Sequence, residues 1–225
     1  KIPDIRLKII TKFPLTKKKV SLVDVREMLN NELQKLNQKK FYAVLIHNTN
    51  ILRTKNGKNI YKFLLQLKRE KLITKIGFSI YKTKELKRFY KKYKPEIIQL
   101  PINLFNQEFL ESGWLKKIKK DQVEIHARSI FLQGIILNSK NKVFKNNQFK
   151  NHFLLFHKWM IKNKINAFDS SLNFINQIKY LDKIIIGINS FKQFEKILNF
   201  KTKKGNFNYR ALKSANQKLI NPSKW

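Results

Sequence analysis

The absences in this sequence narrow its chemistry before any motif is considered. None of its 225 residues is cysteine, so a disulfide framework, a thiolate nucleophile and a cysteine-based zinc site are all excluded. Only 6 are glycine. Neither Gly-x-Gly-x-x-Gly nor Gly-x-x-x-x-Gly-Lys-Ser/Thr occurs, which removes the dinucleotide-type Rossmann turn and the P-loop as phosphate cradles. No apolar run approaches the ~20 residues of a membrane span, and the opening residues have no signal-peptide pattern, so a cytoplasmic protein with no membrane partner is expected. No His-x-x-x-His pair accompanies a Glu, His152 and His157 are read as structural or exposed, and no metal site is expected.

Acidic residues are also scarce, 14 against 49 basic, for a formal net charge of +35. Such an excess usually points to a polyanion. Here the cations are mostly Lys, whereas base and phosphate recognition favours the planar fork of Arg. They are spread along the chain among many Asn, Ile and Phe, the mark of an AT-rich coding sequence. No specific nucleic-acid partner is expected, and polyanion binding is the weakest of the readings kept.

What is present is an alternation of short apolar runs with longer amphipathic ones. Its clearest instance is Phe41 to Asn50, where the continuous run Ala43 to Ile46 stops at His47 and three loop-forming polar residues. Ile5 to Ile10 reads as a strand ended by Thr11-Lys12-Phe13-Pro14, and Ser21 caps a helix with Leu22, Val25, Leu29, Leu33 and Leu36 on one face. A turn is read at Asn56-Gly57, then a helix face at Ile60, Phe63, Leu64 and Leu67 and a strand over Ile73 to Ser79. A short helix near Thr83 to Phe89, a strand over Ile97 to Pro101, a loop at 103–106, one helix over Phe109 to Ile118 and a strand over Val123 to Arg128 follow. Phe131 to Phe149 reads as loop with some helical content. Helices over Phe153 to Ile161 and Leu172 to Tyr180 precede a strand over Lys183 to Gly187, and Ser190 caps a helix bearing Phe191, Phe194 and Leu198.

Strand and helix alternating at roughly thirty-residue spacing argue for repeated βαβ units and a parallel sheet. With the Rossmann turn and P-loop excluded, the fold expected is an α/β (β/α)8 TIM barrel, truncated at its amino terminus to about six βα units. Residues 1–225 then form a single partial barrel domain with a closing tail from about residue 199, the first two units lying ahead of Lys1.

In a parallel barrel the carboxyl ends of the strands share one rim, where catalytic groups sit. Those ends here carry Lys12, His47, Ser79, Gln99, Arg128 with Ser129, and Gly187 to Ser190. No carboxylate is among them, so carboxylate-pair hydrolysis and carboxylate-bound metals are poorly supported. His126 lies inside its strand and reads as a core residue.

Ile10-Thr11-Lys12, Leu45-Ile46-His47-Asn48, Ile76-Gly77-Phe78-Ser79, Ile98 to Asn103, Ala127-Arg128-Ser129 with Gln133-Gly134, Ile186-Gly187 with Gln193, and the closing Asn221-Pro222-Ser223-x-Trp225 follow one another as in the aldo-keto reductase family, which nearly the whole chain resembles. The resemblance implies a carbonyl reductase that uses NADPH or NADH on a small aldehyde or ketone, as a monomer or weak oligomer. By it Lys12 lowers the pKa of a catalytic tyrosine, His47 orients the substrate carbonyl, and Ser79 and Gln99 hold the nicotinamide carboxamide. Arg128 and Ser129 also meet the cofactor, and Gly187, Asn189, Ser190 and Gln193 meet the adenosine phosphates. The family's tyrosine and its aspartate belong to the first two units, so this piece alone is expected to be inactive. Ile80 stands where the family usually has Asn, Arg128 where it often stacks a Tyr, and Lys196-Ile197 where it has Glu-Asn, a positive charge suited to a 2′-phosphate. The alternative reading is a non-catalytic nucleotide-binding or scaffold barrel.

Overall fold

The structure, a computed structural model, describes residues 7–13, 21–138 and 149–222. Six strands, β1 (Ile10–Phe13), β2 (Phe41–Ile46), β3 (Ile73–Ser79), β4 (Ile97–Pro101), β5 (Glu124–Arg128) and β6 (Lys183–Ile184), follow one another in one sheet in chain order. The pairs β1–β2, β2–β3, β3–β4 and β5–β6 are parallel. A helix lies between strands, as the sequence pattern requires, and none of the described helices is long and apolar enough to cross a membrane. The chain forms two compact units, Lys1–Gln99 with Lys120–Glu124, and Leu100–Lys119 with Ile125–Trp225.

In the first unit, register decides which side chains share a face. Lys12, Leu45, Gly77 and Ile97 are successive partners across β1 to β4, and Ile46, Phe78 and Ile98 are partners on the alternate positions. Val44, Ile46, Ile76, Phe78 and Ile98 are buried, as are Ala43, Leu45 and Ile97 on the other face. Both faces of the sheet are therefore covered, which explains the unbroken apolar run of β2. Helix α1 (Leu22–Lys35) starts where Ser21 Oγ accepts the Val23 N–H at 3.1 Å and buries Val25, Leu29 and Leu33, while Leu36 falls beyond its end and is exposed. Helix α3 (Thr83–Tyr93) buries Leu86, Phe89, Tyr90 and Tyr93.

Helix α2 (Lys55–Arg69) corrects one expectation. Asn56-Gly57 is not a turn but the first turn of this helix, because Thr54 Oγ1 accepts the Gly57 N–H at 3.0 Å and caps it. Glycine is needed there for space: a Cβ on Gly57 would lie 1.9 Å from the Ile51 carbonyl oxygen. Strand β1 also differs, running Ile10–Phe13 rather than 5–10; Leu7 to Ile9 are not strand, and 5 and 6 lie outside the described residues.

The second unit is built on aromatic packing. Phe105 meets His152, Phe153 and Phe156 edge-on with centroids 4.5, 5.5 and 5.3 Å away. Gln107 Nε2 donates to the Leu104 and Tyr209 carbonyls at 2.7 and 2.8 Å, tying the tail to this core. Where one helix over 109–118 was expected there are two, α4 (Glu108–Glu111) and α5 (Trp114–Lys120), since Gly113 takes φ +74° and breaks the ladder. Helices α6 (Lys150–Lys162) and α7 (Ala167–Asn176) follow, the latter displaced toward the amino terminus because Asn166 Oδ1 accepts the Asp169 N–H at 2.9 Å and caps it early. Residues 130–138 form turns, 139–148 lie outside the described residues, and β6 is only two residues long, not the five of Lys183 to Gly187. Helix α8 (Phe191–Leu198) is capped by Ser190, and the tail adds a 3₁₀ turn (Tyr209–Leu212) and helix α9 (Gln217–Ile220). Ser223 to Trp225 of the closing motif fall outside the described residues.

Two outcomes follow from this packing. A Cβ on Gly77 would lie 2.0 Å from the Ile97 carbonyl oxygen, whereas Gly187 has nothing within 4 Å. Gly77→Ala is expected to lose at least about 2 kcal/mol in urea unfolding, and Gly187→Ala to stay within about 0.5 kcal/mol. Burial holds the His152 pKa below its ordinary value, opposed by a bond to the Leu212 backbone. The unfolded chain therefore takes up this proton first, and stability falls as pH drops through about 6.5 toward the folded-state value. His152→Phe, which keeps a ring against Phe105, should flatten the thermal midpoint between about pH 5.5 and 7.

Candidate functional site

At the carboxyl ends of the first unit's strands the register builds a polar row. Ser79 and Gln99 are direct partners on β3 and β4, and continuing the Ile46–Phe78 register by one residue sets His47 beside Ser79. The row lies on the same sheet face as the layer Lys12, Leu45, Gly77 and Ile97, one step further toward the strand ends. Apolar Leu45 and Ile97 thus floor a row of an imidazole, a hydroxyl and a carboxamide.

The members differ in what they already do. Ser79 is fully buried, and its Oγ has no hydrogen-bond partner among the described residues. Leaving such a group unbonded costs about 1–3 kcal/mol, so a ligand that bonds it has a ready partner. Gln99 is 4% exposed, and its backbone carbonyl accepts the Ile80 N–H at 2.9 Å. His47 is exposed and meets the half-buried Tyr81 ring edge-on, centroids 6.4 Å apart at 64°. Lys12 is exposed at the end of β1.

Three acids lie at the strands' beginnings. Glu96, just ahead of β4, pairs with Lys68 and accepts the Ile76 N–H at 3.2 Å. Glu124, opening β5, takes the Lys75 ammonium and the Tyr42 hydroxyl, each at 2.6 Å. In the second unit Asp182, ahead of β6, pairs with Lys119 and accepts the Ile125 N–H at 2.8 Å. Carboxylates fix the amino ends; at the carboxyl ends Glu85 of α3 accepts the Tyr81 and Lys82 N–H groups at 2.7 and 2.9 Å and the Thr49 hydroxyl.

The second unit carries the remaining residues. Arg128 Nη1 donates to Ser129 Oγ at 3.2 Å, and Ser129 takes φ +59°, a left-handed conformation rarely adopted by a serine. Asn103 holds it there: Nδ2 donates to the Ser129 carbonyl at 3.1 Å, while Oδ1 accepts the Phe105 and Asn106 N–H groups at 3.0 and 2.9 Å. A cavity of about 680 Å³ is lined by Ser129, Gln133, Gly187, Asn189, Gln193 and neighbours from α7 and α8. At the start of α8 the Asn189 N–H donates to Gln193 Oε1 at 2.9 Å and the Gln193 N–H to Ser190 Oγ at 3.3 Å. This helix end is self-capped. Ser129, Gly187, Asn189 and Gln193 all line the one cavity; Arg128 and Ser190 adjoin its lining.

Three residues escaped the sequence reading as site members. Asn103 was visible within a motif, but its triple bonding was not. Tyr81 carried no signal beyond its place two residues after Ser79. Phe168, in α7, lines the cavity through tertiary packing alone. His126 is buried within β5 as expected; among the described residues no group of three or more His, Cys, Asp or Glu could hold a metal.

Strand and helix in alternation and a parallel sheet in chain order define a TIM-barrel-like α/β protein. The particular family is then given by comparison: the model of the Aldo/keto reductase family matches residues 4–204, and the chain belongs to that family. Among solved structures it is similar to an aldo-keto reductase from Bacillus halodurans in its holo form, with a TM-score of 0.71 and 14% identity over 94% of this chain and 71% of that one. The apo form gives 0.70 and 14% over 95% and 71%. At such identity the likeness concerns the fold. No curated protein matches.

Because Asn103 satisfies three backbone groups while buried, Asn103→Ala should cost about 2–3 kcal/mol of stability and speed amide exchange around Ser129, read by hydrogen exchange.

Proposed function

We propose that this chain is the cofactor-holding part of a carbonyl reductase that transfers hydride from NADPH or NADH to a small aldehyde or ketone. The observation that carries the reading is the row His47, Ser79 and Gln99 with its buried, unbonded hydroxyl, in a chain of the aldo/keto reductase family. A nicotinamide carboxamide both donates and accepts, which is what a free hydroxyl beside a glutamine amide can answer.

In this reading the Ser79 hydroxyl and the Gln99 amide fix the carboxamide and with it the ring face turned to the substrate. Arg128 stacks its guanidinium on the ring and orients Ser129, to which it is already bonded. Gly187, Asn189, Ser190 and Gln193 receive the adenosine phosphates at the amino end of α8, where unpaired N–H groups favour anions; the caps at Asn189 and Gln193 then open or share their donors. His47 donates to the substrate carbonyl oxygen and polarises the carbon. Lys12 stands beside the tyrosine acid and lowers its pKa, since an ammonium favours the phenolate. No tyrosine of residues 1–225 matches the family's tyrosine acid, so in this reading these residues bind without turning over. The whole is read as one partial barrel domain, cytoplasmic and monomeric or weakly associating.

NADPH fluorescence tests the reading. Saturable quenching by residues 1–225 is expected, and Ser79→Ala should weaken it about threefold to tenfold without lowering the unfolding midpoint, because the hydroxyl has no partner among the described residues. Absence of quenching rejects the proposal. Quenching with no aldehyde-dependent oxidation by a parent protein that carries the tyrosine would leave a nucleotide-binding barrel without turnover.

A further inference from the structure

His47 opens the loop after β2, and Ser79 ends β3 just ahead of the short loop 80–82. One carboxylate holds both loops. Glu85, in the first turn of α3, presents Oε1 to the Tyr81 and Lys82 N–H groups at 2.7 and 2.9 Å, and its Oε2 accepts the Thr49 hydroxyl at 2.5 Å. An acid at this place in a helix commonly reaches back to the backbone ahead of it, and Oε1 does no more than that. Oε2 leaves its own helix and bonds a residue 36 positions earlier, two residues after His47.

Thr49 is fully buried, and its bond to a carboxylate is of the charge-assisted class, shorter and about twice as strong as a neutral one. Helix α3 fastens the same segment a second time, since Tyr93 at its far end donates its hydroxyl to the Leu52 carbonyl at 3.0 Å. The 3₁₀ turn Thr49–Arg53 is therefore tied near both ends to one helix. On the other side of Glu85, the Tyr81 ring stands edge-on to His47, centroids 6.4 Å apart. His47 lies between two segments, and the same carboxylate fixes each of them.

We propose that Glu85 is a positioning residue that, through Thr49 and Tyr81, sets the His47 imidazole relative to Ser79 and Gln99. The inference rests on the carbonyl-reductase reading of the polar row. In that reading Ser79 and Gln99 fix the ring that gives hydride, while His47 fixes the carbon that receives it. The separation of donor and acceptor is then set by the separation of the two loops, and a misplacement of about 1 Å costs about a hundredfold in rate. Glu85 acts only through the residues it holds.

Side-chain NMR of the histidines in residues 1–225 reads the ring's position with neither substrate nor cofactor, His47 being assigned by the signal lost in His47→Gln. Thr49→Val removes the partner of Oε2 and leaves the bonds of Oε1. It should displace the His47 ring signals while the Tyr81 and Lys82 amides keep their hydrogen-exchange protection to within about twofold. Glu85→Ala should displace the same signals and speed exchange at both amides at least about tenfold. Glu85→Gln, whose amide can accept from both N–H groups and donate to Thr49 Oγ1, should hold His47 near its original signals. His47 signals that stay in place in Glu85→Ala, in a variant whose circular dichroism is unchanged, overturn the inference and leave Glu85 a helix cap. Equal displacement in Glu85→Gln and Glu85→Ala overturns it as well, because the amide offers the same bonds. Displacement as expected in a chain that fails to quench NADPH fluorescence upholds the link between the loops and rejects the reductase reading alone.

Discussion

The register of the first unit depends on the approach of β4 to β3 at Gly77. With a Cβ position 2.0 Å from the Ile97 carbonyl oxygen and 2.4 Å from Ile97 Cγ2, no side chain fits there, and the space is filled by Ile97 itself. Ile97 can then lie in one layer with Leu45, across the glycine between them. Because side chains alternate faces at every residue, a shift of one position would exchange the buried layer for its opposite. The same register that seats Ile97 over Gly77 brings Ser79 to Gln99 and His47 to Ser79. Geometry of the polar row is a consequence of apolar packing beneath it.

Charge is distributed along the strands with the same directionality. Glu96, Glu124 and Asp182 each stand at or just before the start of a strand and take up a lysine together with a tyrosine hydroxyl or a backbone N–H. A chain with only 14 acids thus uses several where they anchor strands. The carboxyl ends carry Lys12 and Arg128, with Glu85 bonded to the Thr49 hydroxyl and the Tyr81 N–H, and Lys196 lines the second unit's cavity.

Much of this was legible in the residues because it depends on periodicity. The run Ala43 to Ile46 ending at His47, and Ile73 to Ser79 ending at a hydroxyl, announce strand ends in phase, and the row follows from them. The misreadings have a common physical cause, in that a local signal was outweighed by a nearby cap or contact. Asn56-Gly57 is a strong turn dipeptide, but Thr54 caps a helix across it and the Ile51 carbonyl demands a glycine. The apolar positions from Phe109 to Ile118 suit one helix, yet Gly113 leaves the helical region and divides it. Lys183 to Gly187 is apolar enough for a longer strand, but only Lys183 and Ile184 pair with β5. Phe168 and Lys196 are far enough apart in sequence that only the packing of α7 and α8 reveals their contact.

Ser79 and Asn103 show what distinguishes a positioning residue from a binding one. Both are buried polar side chains near strand ends, and the cost of burial is similar for each. Asn103 recovers it within the fold, since its amide answers three backbone groups and fixes Ser129 in an unfavourable left-handed conformation. Ser79 does not: its hydroxyl is enclosed with nothing to bond among the described residues. Local rules of satisfaction are broken where a protein keeps a group for something outside itself. A ligand that bonds Ser79 offsets a cost the free protein carries, so binding at this row and stability of the fold are coupled. Occupancy of the row should therefore matter to the fold as well as to the chemistry.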